Sequence, residues 1–115
     1  GKKADAVTHF QQAVELSPDA ATYFELGNVF AGAGRLDEAV AVYREAANLE
    51  PDAVVYLYNL GSLLATLGER KMALNADEGL RLWTESRRVL REVVRIEPGY
   101  EKAAPKLRRL DRVLK

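Results

Sequence analysis

Apolar residues recur along this chain at intervals of three and four, broken by short polar stretches that hold proline, glycine, aspartate or asparagine. Ala6, Phe10 and Ala13 form one such stripe, and Ala39, Tyr43 and Ala46 form another. That period matches the 3.6-residue turn of an α-helix and not the two-residue alternation of a strand. The breaks divide the chain into six predicted helices, at about 4–16, 20–33, 36–49, 53–67, 76–97 and 101–114. Pro18, Pro51 and Pro98 lack the N–H that a continuing helix needs, so each marks a helix end. Asp19 and Asp52 follow as N-caps. Gly34 and Gly68 are placed to take the left-handed conformation just past a helix.

The segments are also copies of one another. Ser17-Pro18-Asp19-Ala20-Ala21-Thr22-Tyr23-Phe24-Glu25-Leu26-Gly27 nearly superimposes on Glu50-Pro51-Asp52-Ala53-Val54-Val55-Tyr56-Leu57-Tyr58-Asn59-Leu60-Gly61, which is one residue longer. Upstream of each proline runs a second shared pattern: Ala6-x3-Phe10-x2-Ala13-x4-Pro18, Ala39-x3-Tyr43-x2-Ala46-x4-Pro51 and Ser86-x3-Leu90-x2-Val93-x4-Pro98. The first two prolines are 33 residues apart and the next two 47. Gly27 and Gly61 fall inside helices, where glycine costs about 0.5–1 kcal/mol relative to alanine. Such a cost is tolerated where a second helix passes too close for a Cβ. The small alanines allow the same approach, and Phe10 and Tyr43 fill the space beyond them.

In this respect the chain resembles the tetratricopeptide repeat family, which alternates a helix A and a helix B about every 34 residues. The helix A signature is met by Tyr23-x2-Leu26-Gly27-x2-Phe30 and Leu57-x2-Leu60-Gly61-x2-Leu64. The helix B signature is met by the three proline-ended patterns. The resemblance implies one all-α domain over 1–115, a right-handed superhelix (α-solenoid) of antiparallel helix pairs. Residues 4–18 are the second helix of a truncated repeat. A repeat follows at 20–51, and another at 53–98 carries an insertion near 69–81. The stretch 100–115 is a closing helix with the stripe Leu107, Leu110 and Leu114. Because the pattern opens on a helix B, the chain reads as a fragment that begins in mid-repeat, with the missing helix A either in a removed N-terminal part or replaced by another chain that covers the edge. Within the insertion, Asn75-Ala76-Asp77-Glu78 reads as a capping box. It favours a lengthened helix B after a short connection at 68–75, with Trp83 as a packing residue.

The family's helix A faces line a concave groove that takes peptides or helices of partner proteins. Carried over residue by residue, that groove comprises Ala21, Phe24, Asn28 and Ala31, then Val55, Tyr58, Ser62 and Ala65. Phe24 and Tyr58 are not required by the core signature, so aromatic side chains there point to a contact surface. Only Asn28 suits a carboxylate clamp, and an apolar ligand such as an amphipathic helix fits the rest better. The expected role is a scaffold or adaptor that binds another protein, with self-association as the alternative.

Charge modifies this picture without replacing it. The formal net charge is zero. Up to Gly68 there are four Lys/Arg against nine Asp/Glu, and beyond it thirteen against eight, so the two stretches carry −5 and +5. Arg87, Arg88, Arg91, Arg95, Arg108, Arg109 and Arg112 form a candidate basic surface, and RNA binding through it is the rival reading. No aromatic residue stands among these arginines to stack on a base, which disfavours nucleic acid. Glu85, Arg88, Glu92 and Arg95 are spaced to pair among themselves.

Catalysis finds little support. His9 is the only histidine and there is no cysteine. No spaced carboxylates suggest a metal site. Ser17, Ser62 and Ser86 lack a base or nucleophile context. Ala31-Gly32-Ala33-Gly34-Arg35 lacks the Gly-Lys-Ser/Thr ending of a phosphate loop. The expectation is no enzyme, no metal and no cofactor, in a soluble intracellular chain without a membrane span or secretory signal.

Overall fold

A computed structural model describes all of residues 1–115: six α-helices and no strands. The helices fall into two compact units, Gly1–Pro51 and Asp52–Lys115.

The N-terminal unit holds α1 (Lys2–Leu16), α2 (Ala20–Gly32) and α3 (Leu36–Leu49). Asp19 caps α2 as its sequence position suggests, accepting from both the Thr22 N–H and the Thr22 hydroxyl at 2.8 Å. The end of α2 is a Schellman motif. Gly34 sits at φ 78°. Its N–H donates to the Ala31 carbonyl at 3.0 Å, and the Arg35 N–H to the Phe30 carbonyl at 2.9 Å. This satisfies carbonyls the helix leaves open. Arg35 then lies 4.8 Å over the Phe30 ring and forks onto Glu38. The three-residue link makes α2 and α3 an antiparallel hairpin. At Gly27 the packing leaves no room for a side chain, since a Cβ there would collide with the Tyr43 ring. Ala39 and Ala46 are fully enclosed on the α3 face.

The C-terminal unit holds α4 (Val54–Met72), α5 (Ala76–Ile96) and α6 (Ala103–Val113). α4 and α5 repeat the α2–α3 hairpin in an enlarged form. Gly61 takes the place of Gly27, with Leu90 against it where Tyr43 stands in the first pair. Ser86 takes the place of Ala39 and is fully buried. Its hydroxyl is satisfied by donating to the Gly61 carbonyl at 2.6 Å. Leu64, Leu90 and Val93 form the enclosed centre. Burial of this kind contributes about 1.5–3 kcal/mol per large aliphatic side chain.

The insertion is built differently from the sequence expectation. It does not lengthen helix B alone. α4 has 19 residues against 13 in α2, and α5 has 21 against 14 in α3, so the extra length is shared. The predicted connection at 68–75 shrinks to Ala73–Asn75. Gly68 is not a C′ residue but a buried mid-helix position, and a Cβ there would lie 2.5 Å from the Trp83 ring. Opposite it, a Cβ on Gly79 would lie 2.8 Å from the Met72 Cα and 2.9 Å from the Gly68 carbonyl oxygen. Two facing glycines thus bring the helix backbones together and let both helices run on past the usual turn.

Two other local expectations differ as well. Asp52 does not cap α4. The one-residue lengthening of that link makes Ala53 the N-cap, with no side-chain bond. Asn75 does cap α5, accepting from the Glu78 N–H at 3.2 Å. The reciprocal half of the box is missing, because the Asn75 N–H donates to the Lys71 carbonyl at 2.7 Å. The closing helix starts at Ala103, two residues later than expected. Pro105 fits its first turn, where N–H groups have no helical acceptor.

Candidate functional site

On α2 the proposed contact residues share one face. Ala21 and Asn28 are exposed, and Phe24 and Ala31 half-buried. Phe24 stacks on Tyr43, ring centroids 5.5 Å apart and planes 28° from parallel. The Tyr43 hydroxyl, coming from α3, donates to Asn28 Oδ1 at 2.5 Å. Asn28 is therefore already engaged within the unit. Burial pushes the Tyr43 phenol up from its ordinary pKa, so it stays a neutral donor at physiological pH.

On α4, Val55 is 51% exposed and Tyr58, Ser62 and Ala65 are half-buried. Tyr58 lies against Tyr100, centroids 5.1 Å apart and tilted by 50°. The Ser62 hydroxyl has no hydrogen-bond partner although its oxygen is shielded from water. The Ala65 carbonyl accepts the Trp83 indole N–H at 3.0 Å, which fixes the indole across α4.

Beyond Ser62 and Ala65 the α4 face ends in a pocket of about 140 Å³. Ala65, Trp83, Leu110 and Val113 give it apolar walls. Thr66, Glu69, Lys106 and Arg109 border it, and Ser62 lines it too. Lys106 and Arg109 form no ion pair within 4.0 Å, unlike Arg91, which meets Asp111 at 3.0 Å, and Arg95, which binds Glu92. The sequence favours a packing role for Trp83 and puts Arg109 in a basic surface, with no basic residue on this face. The signal was the spacing of Lys106, Arg109 and Val113 at i, i+3 and i+7. It is eclipsed in the sequence by the leucine stripe of α6, of which only Leu110 is buried.

The seven arginines of the candidate basic surface do not form one patch. Arg87 donates to the Leu114 carbonyl at 3.4 Å, at the C-terminal end of α6. Arg91 and Arg95 are held in ion pairs, and Arg88 is exposed. The Glu92–Arg95 contact, foreseen from spacing, holds the Glu92 carboxyl below the usual range, with Arg88 adding to it. Arg108 and Arg112 border an outer depression with Pro105 and Asp111, while Arg109 turns to the pocket. His9 is exposed, edge-on to Phe10 at 5.1 Å. No three His, Cys, Asp or Glu side chains gather as a metal site, and no helix is long and apolar enough to cross a membrane.

Comparison with known proteins fits this architecture. Residues 27–68, from mid-α2 through α3 into α4, match the model of the TPR repeat. Among solved structures, the type III secretion chaperone SycD of Yersinia enterocolitica, in complex with a peptide of the translocator YopD, aligns with a TM-score of 0.77 at 17% identity. The alignment covers 100% of this chain and 84% of that one. A second SycD structure aligns at 0.63 and 18% identity, covering 96% and 73%. MamA protein aligns at 0.67 and 20%, covering 93% and 52%. At these identities the likeness is one of fold. No curated protein sequence matches the chain. Residues 27–68 are thus similar to a TPR repeat, and the paired helices with their seated glycines share the fold of these neighbours.

Proposed function

We propose that the chain is a protein-interaction module that binds a peptide or helix of another protein, with Phe24 on the α2 face of one unit and Tyr58 on the α4 face of the other each serving as an anchor. The observation that carries this is the way both aromatic residues are held. Each is only half-buried, and each is braced by a second ring, Tyr43 for Phe24 and Tyr100 for Tyr58. A braced aromatic side chain loses little rotamer freedom on contact, and such residues dominate interface energetics. The SycD relative, solved with a peptide of another protein, supports the same use of this fold.

The test is a selection of displayed peptides on the intact chain, followed by affinity measurement on Phe24→Ala, Tyr58→Ala and the double variant. Truncating such an anchor costs about 2 kcal/mol, roughly thirtyfold in Kd, while the far-UV spectrum stays helical. Undiminished binding in the double variant would move the site off both faces.

A further inference from the structure

We propose that the pocket at the end of the α4 face takes one apolar side chain from a partner segment whose flanking residues are Asp or Glu, with Lys106 and Arg109 holding the carboxylates. This rests on the peptide-binding reading and specifies the chemistry of the segment. Size sets the first limit. A dry cavity of about 150 Å³ accommodates benzene, so 140 Å³ suits one leucine- or phenyl-sized group. The walls set the second. Ala65, Leu110 and Val113 are aliphatic. The Trp83 N–H is already spent on the Ala65 carbonyl, so the indole offers the pocket apolar surface. The cavity therefore selects an apolar group.

The border selects the neighbours of that group. Lys106 and Arg109 carry positive charge at the pocket without a carboxylate partner, while Arg91 and Arg95 nearby in sequence are neutralised. Only Glu69 among the lining residues is acidic, so the border is net positive and favours an incoming carboxylate. Arginine adds a planar fork matched to a carboxylate.

Trp83 is the only tryptophan, so its emission reports on the pocket in the intact chain. The probes are three capped peptides: acetyl-Ala-Glu-Leu-Glu-Ala-amide, its counterpart with lysines for glutamates, and one with alanine for leucine. A uridine hexanucleotide and the first peptide with a free C-terminus complete the set. Trp83 emission should saturate with the Glu-Leu-Glu peptide below about 5 mM. The lysine and alanine peptides should bind at least about fivefold more weakly. Lys106→Ser/Arg109→Ser should reduce the preference for glutamate over lysine to within about twofold while keeping the need for leucine. Four results overturn the proposal: no saturation, equal affinity of the glutamate and lysine peptides, tighter binding of the oligonucleotide, or a strict demand for the free terminus. Amide spectra recorded in parallel separate the two levels. Shifts near Phe24 or Tyr58 but none near Trp83 reject the pocket and leave peptide binding standing, whereas no shift anywhere counts against both.

Discussion

Glycines inside the helices meet different neighbours, and the neighbours decide what a methyl group would do. At Gly61 the nearest atoms are the Cγ and Cδ2 of Leu90, at 2.8 Å. Leu90 is fully buried and can yield only in part, while the helix gains about 0.5–1 kcal/mol from alanine, so Gly61→Ala should lower the urea midpoint, but less than a clash with backbone would. At Gly79 the nearest atoms are backbone, the Met72 Cα and the Gly68 carbonyl oxygen. Those cannot move without parting the helices, so Gly79→Ala should destabilise by about 1–3 kcal/mol. Equal effects at the two sites would contradict the packing described for the insertion. Tyr43 offers a test from the polar side. Its pKa is raised by burial, so the contribution of its neutral form is intact below the unfolded value and is lost as pH climbs through the folded one. Tyr43→Phe should remove the Asn28 hydrogen bond, about 0.5–1.5 kcal/mol. It should also flatten part of the stability loss above about pH 10.

At the level of the helix, the end signals show how far local chemistry can be read. Asp19, Gly34 and Asn75 do what their residue types suggest, because each acts on backbone groups one turn away and needs no tertiary information. Asp52 and Gly68 look the same in sequence and do otherwise. One inserted residue moves the α4 N-cap to Ala53, and the Trp83 ring, fifteen positions downstream, occupies the space above Gly68. The proposed contact face is legible to the same extent. Phe24 and Tyr58 follow from counting along the repeat, whereas the spacing of Lys106 and Arg109 puts them on one face of α6 without telling that this face meets the α4 pocket, which only the docking of α6 decides. The caps also predict a pH response. Hydrogen bonds from the Thr22 N–H and then its hydroxyl hold the Asp19 carboxyl below its ordinary pKa. The stability this gives is present above the unfolded value and lost as pH falls through the folded one. Asp19→Asn keeps an acceptor for the cap and should flatten part of the acid limb below about pH 4. An unaltered acid limb would mean the bond is not made in solution. Asn75→Ala should cost about 0.5–2 kcal/mol at any pH, read from thermal melts at two pH values.

For the molecule as a whole, charge partition matters more than net charge. The chain is formally neutral, yet Gly1–Pro51 carries four Lys/Arg against eight Asp/Glu, and Asp52–Lys115 thirteen against nine. The units are thus −4 and +4. A neutral molecule lacks the self-repulsion that keeps proteins apart, and opposite charges on its two units attract between copies. Screening decides whether that attraction is felt, since the Debye length falls from about 30 Å at 0.01 M ionic strength to about 8 Å at 0.15 M. Sedimentation equilibrium at pH 7 should therefore show concentration-dependent association at the lower ionic strength and a 12.8 kDa species at the higher. An apolar contact, for example through Leu16 at the end of α1, which is 87% exposed, would persist or strengthen with salt. The sign of the salt effect separates the two causes. Lys106→Ser/Arg109→Ser, which halves the excess charge of the C-terminal unit, should weaken the low-salt association. A mass that ignores both salt and these substitutions would show that the charge partition does not drive contacts between copies.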